Sequence, residues 1–188
     1  MIINIRGTHG SGKSHLIKQL LKRYVAQPTD VDKKGRPNNY VMPLSNGSKL
    51  YVVGPYYNAC GGCDAIQPYS LIWPRVVEFA KVGHVLFEGA LVSSSYGNIG
   101  RSSEVYGRSF VFAFLSTPLD VCLDRIRRRR LARGNTKPLD PKNTEYKYND
   151  IERSVPKIRD EFNRRVVILD YRKAAAQVLG LLYGTTTH

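Results

Sequence analysis

Residues Gly7-Thr8-His9-Gly10-Ser11-Gly12-Lys13-Ser14 fit the pattern G-x-x-x-x-G-K-[ST] at every specified position. The apolar run Ile2–Ile5 precedes them, and Leu16, Ile17, Leu20 and Leu21 follow at helical spacing, so the segment reads as strand, loop, helix. The spacing has a mechanical reason. Glycines let the backbone curl until successive N–H groups point at one anion. Lys13 reaches terminal phosphates as a point charge, Ser14 offers a hydroxyl to Mg²⁺, and the helix adds its positive N-terminal end. The nucleotide-binding set is therefore Gly7, Thr8, His9, Gly10, Ser11, Gly12, Lys13, Ser14 and the adjacent His15, with ATP and Mg²⁺ as expected cofactors. His9 fills a variable position of the loop.

Further apolar runs at Leu50–Val53, Val85–Phe87, Phe110–Leu115 and Val166–Leu169 alternate with helical patterns. Short apolar strands between helices predict a mainly parallel five-stranded sheet covered on both faces, an α/β/α sandwich of the P-loop NTPase kind. One domain is expected over residues 1–188, with a hairpin-like insertion near 37–53 around Asn46-Gly47 and an Arg-rich lid near 125–150. Residues 27–49 otherwise read as a polar connection. Tyr69–Val82 reads as a helix disturbed by Pro74, and Ser93–Ser109 has no clear pattern. Thr117-Pro118 fits an N-cap followed by proline at the first helical position. Ligands of such sheets sit at the carboxyl ends of the strands, so the loops after Ile5, Val53, Phe87 and Leu115 converge on one site.

Two acids fall at that end. Glu88 ends the run Val85-Leu86-Phe87 and suits the metal shell together with Ser14. Asp64, in the loop after the second core strand, is the first choice for accepting the proton of an attacking hydroxyl, although the two roles are interchangeable at this level. The run Asp124–Arg133 holds the densest charge, and Arg125 and Arg129 share a helical face. A subset of Arg125, Arg129 and Arg130 is expected to close on the nucleotide, with Arg129 stabilising the transferring phosphoryl group.

The formal net charge is +14, unevenly spread: nine Lys/Arg against two acids in residues 1–50, four against five in 51–123, and sixteen against eight in 124–173. Basic flanks around a neutral centre exceed what a nucleotide needs and suit a polyanion such as DNA. Three cysteines, with Cys60 and Cys63 as the sole C-x-x-C pair, predict neither a disulfide scaffold nor a zinc site. No apolar run is long enough for a membrane span and the start lacks a secretory pattern, so a cytoplasmic protein is expected. Tyr56, Tyr57, Tyr69, Trp73, Tyr96 and Tyr106 offer a possible base-stacking pocket.

Taken together, the loop Gly7–Ser14, Glu88, and the segment Ser116-Thr117-Pro118 through Arg133 resemble the P-loop kinases that include thymidylate and deoxynucleoside kinases. Gly54-Pro55-Tyr56, Gly61-Gly62-Cys63-Asp64 and Phe87-Glu88-Gly89 more narrowly resemble phage kinases, some of which phosphorylate 5-hydroxymethyluracil within DNA ahead of thymine hypermodification. Glu88-Gly89-Ala90 departs from the Asp/Glu-Arg-Tyr/Ser pattern of the free-nucleotide enzymes. The resemblance implies an ATP-dependent kinase with a DNA acceptor, acting in the host cytoplasm if phage-encoded. A free nucleoside or nucleotide kinase and a nucleotide-dependent DNA-binding protein without acceptor chemistry are the alternatives.

Overall fold

A computed structural model describes residues 1–58, 61–94 and 103–184. Its strands are β1 (Ile2–Arg6), β2 (Gln27–Val31), β3 (Pro37–Pro43), β4 (Lys49–Val53), β5 (His84–Glu88), β6 (Phe110–Leu115) and β7 (Arg165–Leu169). Its α-helices are α1 (Lys13–Arg23), α2 (Ile72–Ala80), α3 (Ala90–Ser94), α4 (Leu119–Leu131), α5 (Lys142–Pro156) and α6 (Ala174–Tyr183).

Among the described residues the strands form one mixed sheet of seven, in the order β2-β3-β4-β5-β1-β6-β7. This corrects the expectation of a five-stranded, mainly parallel sheet. The pairs β4–β5, β5–β1, β1–β6 and β6–β7 are parallel, while β2–β3 and β3–β4 are antiparallel. Of the two extra strands, β2 comes from the stretch read as a polar connection, and β3 is the first strand of the hairpin-like insertion near 37–53, paired with β4 across the Asn46-Gly47 turn. Strand β2 is exposed along its whole length, so it has no apolar periodicity to betray it. Its order comes from ladder hydrogen bonds to β3 and from polar side chains.

Pleating sends successive side chains to opposite faces. Ile3 and Ile5 of β1 join Leu16, Ile17 and Leu20 of α1 and Val178, Leu179 and Leu182 of α6 in one core. Ile2 faces the other side, where Val76, Phe87, Phe110, Phe112, Ile151 and Ile158 form a second core. Strands β5 and β6 are buried almost throughout, as continuous apolar runs in a two-sided sheet should be.

Helix starts depart from expectation in an instructive way. Pro118, not Thr117, occupies the position before α4, and it offers no side-chain cap. The Thr117 hydroxyl instead donates to the Ser11 carbonyl at 2.7 Å, tying the start of α4 to the glycine loop. Pro74 sits in the first turn of α2, where a missing N–H costs nothing, and α2 begins at Ile72 after a single 3-10 turn. The segment without clear pattern begins with α3; residues 95–102 lie outside the described set.

Beyond the β3–β4 ladder, a buried amide ties the β2–β3 extension to the loop after β4. Asn39, 2% exposed, donates through Nδ2 to Asp30 Oδ1 at 2.7 Å and accepts the Gly54 N–H at 3.0 Å through Oδ1. Asn39→Leu should destabilise the protein by about 1–3 kcal/mol in urea unfolding, because it strands the Gly54 amide and removes a donor from Asp30. An unchanged midpoint would show that the bridge contributes nothing.

Candidate active site

The register sets the site before any side chain is considered. Glu88, the last residue of β5, pairs with Ile5 of β1, and Val53 of β4 pairs with Phe87. The glycine loop after β1, the loop after β4 and the turn after β5 therefore leave the sheet side by side. Gly10 has a φ of +79°, and a Cβ there would stand 2.4 Å from the Cys122 carbonyl oxygen of α4. Only glycine allows the loop to lie that close to α4.

Lys13 is buried and donates to the Gly7 carbonyl at 2.7 Å and the Thr8 carbonyl at 3.2 Å. Burial lowers its pKa, and the negative charges of Glu88 and Asp64 oppose that shift. Ser14 Oγ donates to Glu88 Oε1 at 2.8 Å, and the Tyr56 hydroxyl donates to the same oxygen at 3.4 Å. Burial raises the Glu88 pKa, with Lys13 and the Ser14 hydrogen bond pulling it back. Tyr56, buried beside Glu88, is pushed well above its usual value.

Asp64 is surface-accessible at the mouth of the same cleft. Its Oδ2 accepts the Ala90 N–H at 2.7 Å and its Oδ1 the Leu91 N–H at 3.1 Å, so it closes the first turn of α3. The other end of α3 is held by Arg6, which is 1% exposed. Its guanidinium donates to the Val92 carbonyl at 3.2 Å and to the Ser93 carbonyl, and it lies 5.5 Å from the Phe114 ring centroid. The Gly7 N–H in turn meets Ser93 Oγ at 3.4 Å. The turn from Glu88 into α3 is thereby fastened to both the glycine loop and the loop carrying Asp64. Nothing in the sequence flagged Arg6; a charged residue ending an apolar strand was the available signal.

Thr8, His9, Gly10, Ser11, Gly12, Lys13, Ser14 and His15 line a cleft of about 360 Å³ together with Asp64, Glu88, Arg125 and Arg129. Arg125 Nη1 donates to the Gly10 and Ser11 carbonyls, each at 3.2 Å, and its guanidinium lies 5.3 Å from the Tyr171 ring centroid. Arg130 is not brought to the cleft. Its Nη2 donates to Asn135 Oδ1 at 3.3 Å and the Lys137 carbonyl at 3.2 Å, fixing the end of α4. Arg128 pairs with Asp124 at 2.9 Å. The Thr8 hydroxyl reaches the Thr144 carbonyl of α5 at 3.5 Å, which brings the start of that helix over the loop. Burial and the nearby Lys13 lower the pKa of His9.

The aromatic residues do not gather into one pocket. Tyr56 packs into the α1-side core, whereas Tyr69, Trp73 and Tyr106 pack on the opposite one. Tyr57 is exposed, and Tyr96 lies outside the described residues, as does Cys60. Cys63 is buried and free. Among the described residues no three His, Cys, Asp or Glu side chains cluster as a metal cage, and no helix is long and apolar enough to cross a membrane.

An α/β protein whose glycine loop, buried lysine and strand-end acid converge in one cleft has the parts of a nucleotide-dependent phosphotransferase. Comparison with known proteins narrows this. A 5-hmdU DNA kinase of Pseudomonas phage PaMx11 is 39% identical over 150 residues, spanning 78% of this chain and 79% of the relative. A 5-hmdU DNA kinase of Pseudomonas phage M6 is 31% identical over 170 residues, spanning 85% and 83%. One from Delftia phage PhiW-14 is 25% identical over 177 residues, spanning 85% and 64%. No protein-family model matches the chain. The chain belongs to the 5-hmdU DNA kinase family.

The raised pKa of Glu88 makes a signed prediction. The unfolded chain ionises this carboxyl near its usual 4.5, and the folded chain does so only at higher pH. Stability is thus lost as pH rises from about 4.5 through the folded-state value. Glu88→Gln, which cannot ionise, should match the wild type in thermal unfolding below that window and exceed it above. A variant less stable at every pH would show that the carboxylate is a net stabiliser.

Proposed function

We propose that the protein transfers the γ-phosphoryl group of ATP to the hydroxymethyl group of 5-hydroxymethyluracil within DNA. The observation that carries the reading is the buried Lys13 ammonium beside the Ser14–Glu88 pair, at the mouth of a glycine loop, in a chain of this family. The fold is read as a P-loop sandwich, with β4, β5, β1, β6 and β7 as its parallel strands. Its setting is the cytoplasm of an infected host.

The triphosphate lies along the loop from Gly7 to Ser14, where backbone N–H groups and the start of α1 favour its charge. Lys13 exchanges the Gly7 and Thr8 carbonyls for oxygens of the terminal phosphates. Arg125 and Arg129 approach from α4, where they counter the charge that spreads over the phosphoryl oxygens during transfer. Ser14 Oγ and the Glu88 carboxylate, 2.8 Å apart, would hold a Mg²⁺ ion, a cation that needs few protein oxygens. When bound, that ion supplies charge neutralisation between the phosphates. Asp64, unlike the 1%-exposed Glu88, is open to an incoming hydroxyl. Each of its oxygens keeps a lone pair beyond the amide it accepts, so it can orient the hydroxymethyl group and take its proton. The acceptor base must leave its stack to reach this depth.

The test is labelled ATP offered with duplex DNA containing 5-hydroxymethyluracil, with plain duplex, and with the free nucleoside and monophosphate. Label should enter the modified duplex alone; transfer to the free nucleoside or monophosphate but not to polymer would contradict the reading. Lys13→Ala should lower kcat on the order of 100-fold or more. Asp64→Asn should lower kcat by about 100- to 10,000-fold with the KM for ATP unchanged, and an unaltered kcat would leave Asp64 as a helix cap alone.

A further inference from the structure

Strands β2 and β3 contribute nothing to the cleft lining, yet their register aims them at it. Pairing of Asn39 with Val53 and of Pro43 with Lys49 makes β3 run against β4. The start of β3 and the end of β2 therefore lie at the carboxyl end of β4, the end where the site is. The turn between them, residues 32–36, projects past the sheet on that side.

This tip is rigidly built. Asp32 Oδ1 accepts the Lys34 and Arg36 N–H groups at 2.8 and 2.9 Å, and Asp32 Oδ2 pairs with the Arg36 guanidinium at 2.6 Å. That pairing draws the Asp32 carboxyl down to about 2. Behind it, Asp30 gathers Thr29, Asn38 and Asn39, and Asn39 holds Gly54. The Arg36 guanidinium also lies 5.0 Å from the Tyr57 ring centroid, which docks the tip on the loop after β4. Tyr57 is 42% exposed and adjoins Tyr56, whose hydroxyl touches Glu88.

With Asp32 and Arg36 neutralising each other, the tip's remaining charge is Lys33 and Lys34. Both are exposed, and neither ammonium has a hydrogen-bond or ion-pair partner among the described residues. Lysines left unpaired on an anchored turn, beside an exposed aromatic ring and at the same end of the sheet as the cleft, suit a chain of phosphates. They would add nothing for a free nucleoside, which carries no phosphate.

We propose that the β2–β3 tip is a DNA-backbone contact, in which Lys33 and Lys34 hold phosphates flanking the acceptor nucleotide while Tyr57 packs against the exposed face of a neighbouring base. The wing thus selects polymer over monomer. The contact rests on the DNA-kinase reading above, and the experiment keeps the two apart.

K33E/K34E is compared with K49E/K81E. The second pair makes the same change in charge, but Lys49 begins β4 and Lys81 precedes β5, at the far end of the sheet. Duplex binding is followed by fluorescence anisotropy without nucleotide, and phosphorylation of the modified duplex is followed against salt. K33E/K34E should raise both the Kd and the KM for duplex about tenfold or more and should flatten the log–log salt slope by about 2, one unit per lost phosphate contact. Its KM for ATP should stay that of the wild type, as should every property of K49E/K81E. Tyr57→Ala should weaken duplex binding with the salt slope unchanged. Equal losses in the two charge variants, or none in K33E/K34E, would overturn the wing contact and leave the kinase reading standing. A wild type that binds duplex through the wing yet phosphorylates no DNA would overturn the kinase reading alone.

Discussion

The structure is organised around a buried ammonium. Lys13 is almost wholly withdrawn from water, and its charge is borne by the Gly7 and Thr8 carbonyls and by the field of Glu88 and Asp64. A cation in such a place is stable only while those oxygens keep their positions. Much of the surrounding architecture secures them. Thr117 and Arg125 grip the Ser11 carbonyl, Ser93 meets the Gly7 amide, and Thr8 reaches back to α5. Gly10 gives the loop its close approach to Cys122. The loop's polar groups are thereby fixed before any ligand arrives, and a fixed polar site is what favours a charged reactant.

Legibility in the sequence followed the physics of each part. Strands β1, β5 and β6 bury apolar residues on both faces, and the glycine loop has a fixed spacing, so their positions could be read directly. Glu88 was recognisable because an acid ending an apolar run stands at a strand tip. Strand β2 was invisible because it buries nothing, and its order comes from Asp30 and Asn39, residues with little preference for strands. Thr117 resembled a helix cap because sequence reveals the local partner and not one 106 residues away. Asp64 was recognised as a cleft acid, but its service as a cap for α3 depends on where a five-residue helix begins. Arg130 was grouped with Arg125 and Arg129 by type, and the turn of α4 separates it from them.

The surplus of positive charge divides into parts with different work. Arg125 and Arg129 line the cleft of the glycine loop, and Arg128 and Arg130 are spent on the helix itself. Arg6 fastens α3 from inside the fold. Lys33 and Lys34 stand apart from all of these, on a turn where the neighbouring Asp32 and Arg36 pair with each other. A single net charge of +14 therefore hides cations that line the cleft, cations that brace the fold and cations exposed at the β2–β3 tip, and their partners distinguish them. Fastening the turn after Glu88 at both ends of α3 holds Glu88 and Asp64 in one frame.

The most direct measurement is a crystal structure of the protein with a non-hydrolysable ATP analogue and Mg²⁺. The account requires the Lys13 ammonium to leave the Gly7 and Thr8 carbonyls and to contact oxygens of the β- and γ-phosphates, with the triphosphate running along residues 7–14. A nucleotide bound elsewhere, with Lys13 still on those two carbonyls, would contradict it.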